Sequence, residues 1–216
     1  MVKKLSKSSI NLYLQCPYKW KKSHIDNVEV IPSPAMLRGT KIHNKIENYY
    51  KNPTPDNDLK NLIEFDKRRA NDMRKQGIEP DKFIKPLFQE LKLSSDKLNL
   101  KGILDAVFIN PEDGKLIVID WKTGKYNKDN LNDYRLELAI YKLLLEDSEF
   151  VDKEVGYWGI YFIDADKLFF EPVSQKCENE VLNTIMVVRR GIEMESFHPK
   201  RNMWCKYCQF KGVCGK

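Results

Sequence analysis

The run Leu116-Ile117-Val118-Ile119-Asp120-Trp121-Lys122 reads as a buried strand that ends in reactive groups. Four consecutive apolar residues, three of them β-branched, suit the interior of a sheet. They lead into a carboxylate and an ammonium two residues apart. The period of a strand puts Asp120 and Lys122 on one face and turns Trp121 to the other, leaving the Trp121 carbonyl available as a ligand. Fifteen residues before Asp120, Gly102-Ile103-Leu104-Asp105 ends a strand-like segment with a second carboxylate. Carboxylates held together repel unless a cation such as Mg²⁺ or Mn²⁺ joins them. Such an ion polarises a phosphodiester and acidifies water, while a lysine beside it orients that water or meets developing negative charge. Two acids and a lysine on neighbouring strands are therefore a set suited to phosphodiester hydrolysis.

On either side of this stretch the pattern alternates between helix and strand. Leu87–Leu93 and Leu98–Ile109 read as strands, and Pro111-Glu112-Asp113-Gly114 turns the chain into Lys115–Trp121. Leu131, Tyr134, Leu138, Tyr141 and Leu145 recur at steps of three and four, the mark of an amphipathic helix. Gly156–Ile163 and Leu168–Val173 form a second hairpin around Asp164-Ala165-Asp166, and a helix follows from about Asn179 to Glu195. Upstream, Ser8 or Ser9 can cap a helix carrying Ile10, Tyr13 and Leu14. A second helix begins near Met36 and runs to Tyr50, Asn52-Pro53-Thr54-Pro55 breaks the chain, and a third, highly charged helix stops at Gly77. The expected fold is α/β, a central mixed sheet flanked by helices.

The 216 residues fit a single domain, with 31–85 a helical part and 86–175 the core. A hydrophobic content of 42% supplies a core, and no apolar run is long enough to cross a bilayer. Met1-Val2-Lys3-Lys4 opens without an apolar leader segment, so a cytoplasmic location is expected and a membrane partner is not. The net charge of +6 is a modest lean that a lysine-rich surface alone explains. Three clusters are nevertheless suited to phosphates: Lys19, Lys21 and Lys22 beside Trp20; Lys67-Arg68-Arg69; and Lys122, Lys125 and Lys128.

Asp-x-Lys alone is not diagnostic, because acids at strand ends are common. Two features add to it. Glu90 lies in the preceding strand-like segment, where a third carboxylate can assist, and His43 sits on a helix opening with Arg38-Gly39-Thr40, where an imidazole can add a ligand. A second constellation lies at the chain ends. Cys205-x₂-Cys208-x₅-Cys214 has metal-ligand spacing but leaves a tetrahedral centre one thiolate short, and Cys16 is the natural fourth. A centre joining them would staple 1–30 to 196–216. Zinc is chemically plausible there, disulfides are disfavoured in a reducing compartment, and Cys177 stays outside the pattern as a thiol near a helix start. Tyr18, Trp20, Trp204 and Tyr207 flank these cysteines. They read as packing for the two ends, with stacking on bases as the alternative.

Taken together, these motifs resemble the PD-(D/E)XK nucleases of the RecB-like branch. Arg38-Gly39-Thr40-x-x-His43 is similar to that branch's helical motif, Glu90 to its additional acid, and Asp105, Asp120 and Lys122 to its core. The resemblance implies a restriction-endonuclease-like fold in which His43, Asp105, Asp120 and the carbonyl of Trp121 hold Mg²⁺ or Mn²⁺. It implies Lys122, Asp120, Asp105 and Glu90 as the catalytic group. On the following helix the branch carries Gln-x-x-x-Tyr; here Tyr141 is present but Glu137 replaces the glutamine, and a carboxylate would repel phosphate. Arg38, Glu137 and Tyr141 are the expected DNA-contacting positions. Cys16 with Cys205, Cys208 and Cys214 resembles the iron–sulfur staple of the AddB nuclease domain and of CRISPR-associated RecB-like exonucleases, which implies a [4Fe–4S] cluster with Zn²⁺ as the alternative. The function implied is a metal-dependent deoxyribonuclease, chiefly a single-stranded DNA exonuclease with endonuclease activity open. The alternative is a DNA-end-binding assembly factor in CRISPR adaptation or recombination with little catalysis of its own. Homo-oligomers and CRISPR or recombination proteins are the partners it suggests.

Overall fold

In the computed structural model, which describes residues 4–214, the strand read first is the central member of a five-stranded mixed sheet. The strands are β1 (Phe88–Ser95), β2 (Leu100–Ile109), β3 (Leu116–Lys122), β4 (Val155–Phe162) and β5 (Lys167–Pro172), lying side by side in chain order. β1, β2 and β3 are antiparallel neighbours, β3 and β4 run parallel, and β4 pairs antiparallel with β5. The parallel step needs a crossover, which α5 (Leu131–Glu146) supplies.

β3 shows why the sheet is covered on both faces. Leu116 and Val118 face a core built with α1 (Lys7–Gln15), α5 and α6 (Gln175–Glu193), while Ile119 and Trp121 face a second core. α3 (Pro34–Lys51) and α4 (Lys60–Lys75) close that second core with Ile42, Ile46, Tyr50 and Leu62. A short α2 (Pro17–His24) packs beside α1 and buries Trp20, whose indole N–H donates to Ser9. The mixed sheet flanked by helices is the expected fold class.

Several boundaries differ from the sequence reading. Ser6, not Ser8 or Ser9, caps α1: its hydroxyl accepts the Ser9 N–H at 3.2 Å. Leu98 leaves the strand for the turn, where its N–H donates to Ser95 Oγ at 2.8 Å, and β1 gains Ser94 and Ser95. α6 starts earlier than read, at Gln175, with a polar first turn that carries no apolar periodicity. Asp105 does not end its segment but lies in the middle of β2. Met1–Lys3, read for the absence of a leader, and the last two residues of the 196–216 segment lie outside the described residues.

Candidate active site

The paired part of β2 and β3 stops at Ala106 and Ile119, so Asp105 and Asp120 are the first residues past the end of the ladder. The strands separate there, and a carboxylate fills the gap: Asp105 Oδ2 accepts the Trp121 backbone N–H at 2.8 Å. That bond satisfies a backbone donor that the ladder has released and fixes the carboxylate's direction. On the other side of β2, the pairs Gln89–Ala106 and Leu91–Leu104 put Glu90 abreast of Asp105. Glu90 has φ of +47°, a left-handed conformation that is uncommon for a residue with a side chain. Three acids thus come from three adjacent strands.

His43 reaches them from α3. Its Nδ1 lies 3.5 Å from Asp105 Oδ1 and 3.6 Å from Glu90 Oε1, while its Nε2–H donates to the Trp121 carbonyl at 3.0 Å. Burial works against a charge on the ring, but Asp105 and Glu90 more than reverse this and raise its pKa to about 10. The two carboxylates thus favour the charged form of the ring. One ligand atom from each of His43, Glu90 and Asp105 falls within 4.8 Å of the others, a spacing that a single metal ion can bridge.

Asp120 supplies the test of fit. It is 2% exposed, and its Oδ2 has no aligned hydrogen-bond donor. Lys122 Nζ stands 2.7 Å from that oxygen as its ion-pair partner. Burial, aided by the charges of Glu137 and Asp105, raises the Asp120 pKa against the pull of Lys122. Two buried carboxylates, a third acid and one imidazole form an oxygen-rich donor set that fits a hard divalent cation.

Lys122 is held from two sides. Besides Asp120, its ammonium donates to Glu137 Oε2 at 2.9 Å, and Lys7 Nζ donates to the same oxygen at 2.6 Å. The Tyr141 hydroxyl takes the other oxygen, Oε1, at 3.2 Å. Burial works to raise the Glu137 pKa, but Lys122 and Lys7 outweigh it and hold the acid ionised. Glu137 and Tyr141 are thus both buried and engaged with each other. Arg38 is engaged as well: both guanidinium arms bond Asp164 at 2.8 Å, and one also reaches the Thr123 carbonyl. Of the basic clusters, Lys21 and Lys22 share Asp26, while Lys67, Arg68 and Arg69 pair with Glu64, Asp166 and Asp66. Lys7 was missed in the sequence; its only signal there is a lysine directly after a capping serine.

At the chain ends Cys16, Cys205, Cys208 and Cys214 line one cavity of 290 Å³. The Lys200 N–H approaches Cys16 Sγ at 3.5 Å and the Asn202 N–H approaches Cys205 Sγ at 3.3 Å. Asn202 also donates to the Gln15 carbonyl at 2.9 Å and Lys200 to that of Leu14 at 3.0 Å, so hydrogen bonds tie the C-terminal segment to the end of α1. Cys177 lies apart, on the first turn of α6. The aromatic residues divide: Trp20 packs inside, whereas Trp204 and Tyr207 are exposed, against the packing expected for them.

This sheet, with acids from three strands and a lysine two residues beyond the last, defines a class of phosphodiester-cleaving proteins. The chain belongs to the PD-(D/E)XK nuclease superfamily, whose family model matches residues 4–215. Among solved structures it is similar to the protein SSO0001, with 18% identity and a TM-score of 0.55 over 100% of this chain and 87% of that one. It is also similar to a protein of Eubacterium rectale provisionally named an exonuclease, with 12% identity and a TM-score of 0.54 over 99% and 94% of the two chains. At these identities the likeness is one of fold. No curated protein matches the sequence. Among the described residues no helix is long and apolar enough to cross a membrane.

Proposed function

We propose that the protein is a Mg²⁺- or Mn²⁺-dependent deoxyribonuclease acting on single-stranded DNA or DNA with free ends, chiefly as an exonuclease. The observation that carries the reading is the convergence of His43, Glu90 and Asp105 on one point, next to a buried Asp120 that is ion-paired with Lys122. His43, Asp105, Asp120 and the Trp121 carbonyl would hold the ion, with Glu90 in support. When bound, the ion supplies Lewis-acid polarisation of the phosphate and acidification of a water.

The chain's own residues do the rest. Asp105 is aimed by the Trp121 N–H and Asp120 by its place in β3, so neither has to reorganise. Lys122 brings an ammonium to the edge of this cluster, where it orients the attacking water or meets charge on the phosphate. His43 must present a deprotonated nitrogen to serve as a ligand, against the raised pKa that Asp105 and Glu90 give it.

For the chain ends the reading is a [4Fe–4S] cluster on Cys16, Cys205, Cys208 and Cys214. It is supported by the shared cavity and by backbone N–H groups directed at two of the sulfurs, the kind of contact that tunes iron–sulfur centres. A brown anaerobic preparation, with visible absorption that bleaches on reduction, is the expected sign; a colourless protein with one zinc per chain would exclude it. The nuclease reading is tested by Asp120→Ala. The variant should lose cleavage of single-stranded DNA and weaken calorimetric Mn²⁺ binding, and undiminished cleavage would remove the reading's main support.

A further inference from the structure

Lys7 is the first residue of α1, placed directly after the capping Ser6, and no acid accompanies it in that turn. A cation there opposes the helix dipole, so the helix itself gains nothing from it. The side chain instead crosses to α5 and donates to Glu137 Oε2 at 2.6 Å, the same oxygen that accepts from Lys122 at 2.9 Å. Glu137 is 5% exposed and has no other cation among the described residues. With one lysine, this carboxylate would compete with Asp120 for the Lys122 ammonium and would set a negative charge near an incoming phosphate. With two lysines, it is balanced.

We propose that Lys7 is a positioning residue for the reaction. By neutralising Glu137, it lets Lys122 stay on Asp120 with its charge directed at the substrate. The pair Lys7–Glu137 does the work of a neutral hydrogen-bonding side chain at residue 137. The inference rests on the nuclease reading, in which Lys122 is catalytic.

The experiment compares wild type, Lys7→Met, Lys7→Arg and the double variant Lys7→Met/Glu137→Gln by two readouts. One is single-turnover cleavage of end-labelled single-stranded DNA with Mn²⁺. The other is the ¹⁵N resonance of the Lys122 ammonium in metal-free protein, which needs no activity. Lys7→Met is expected to lower the rate at saturating DNA by about 10- to 100-fold, the size of effect seen when a supporting partner is removed. The KM for DNA should move far less than the rate. Lys7→Arg should keep most of the rate, and Glu137→Gln should give back most of what Lys7→Met loses, because it removes the charge that Lys7 balances. The Lys122 resonance should shift in Lys7→Met and return in the double variant. A role confined to packing α1 would not be rescued by changing residue 137. A Lys7→Met rate within twofold of wild type, a loss that Glu137→Gln fails to recover, or an unmoved Lys122 resonance would overturn the proposal. If Lys7→Met does not fold, Lys7→Gln takes its place in both readouts and is held to the same outcomes. If the wild type does not cleave DNA, the nuclease reading fails and overturns the role in the reaction with it; cleavage by wild type with an unmoved Lys122 resonance overturns the positioning role alone.

Discussion

Asp66 is the residue outside the candidate site whose surroundings make the firmest demand. It lies on α4 at 4% exposure, with Arg69 donating to Oδ1 at 3.0 Å while Oδ2 has no hydrogen-bond partner among the described residues. Burial raises its pKa from 3.8 to about 6, against the opposing pull of Arg69, Tyr50 and Tyr49. The sign follows from proton uptake: between these values the native state binds the proton that the unfolded chain has released. Its contribution to stability is therefore fully present below about pH 4 and is lost as pH rises through 6, a loss of about 3 kcal/mol for a shift of this size. Thermal midpoints measured from pH 4 to 7 should fall more steeply in wild type than in Asp66→Asn; parallel curves would refute the shift. At the site itself, Lys122→Ala should cost at least about 100-fold in cleavage rate, as for removal of one preorganised charge-stabilising donor. At this scale the sequence was readable where a residue's role follows from strand period: Asp120, Trp121 and Lys122 lie as a spacing of two requires. The use of Glu137 was not readable, because the lysine that balances it is 130 positions away in the chain. Nor was the left-handed backbone at Glu90, which no glycine or asparagine announces.

Among the elements, β4 is an interior strand, lying between β3 and β5. A Cβ on Gly159 would fall 2.7 Å from the Phe169 carbonyl oxygen and 3.0 Å from Ile119 Cδ1, and a backbone oxygen cannot swing aside. Gly159→Ala should cost about 1–3 kcal/mol, as overpacking does, which for a chain of this length lowers Tm by roughly 3–10 °C. Calorimetry of the variant checks this, and an unchanged midpoint would mean that β5 can move. The hairpin β4–β5 and helix α5 were legible because their apolar periods are regular. The run of β2 to Ile109 was legible as well; what was not is that its pairing with β3 ends next to Asp105, inside the strand. Where two strands part is a property of both, and no single run of residues encodes it.

Across the whole molecule, α1 links the two constellations. Lys7 at its start touches Glu137, and its C-terminal end, at Cys16, meets the C-terminal cysteine segment through Asn202 and Lys200. Under the cluster reading, Cys16→Ser should lower Tm and weaken cleavage together, because loosening the end of α1 loosens Lys7; metal content and melting of the same samples measure this. A variant without cluster that keeps full rate and midpoint would separate the two regions. The central claim is that residues from three strands and α3 form a working metal-dependent nuclease site. Its most direct test is cleavage of end-labelled single-stranded DNA by anaerobically purified protein, with Mn²⁺ or with EDTA, beside Lys122→Ala. Turnover that requires the metal and disappears in the variant is the predicted result, whereas DNA binding without cleavage by protein carrying its full metal complement would contradict it.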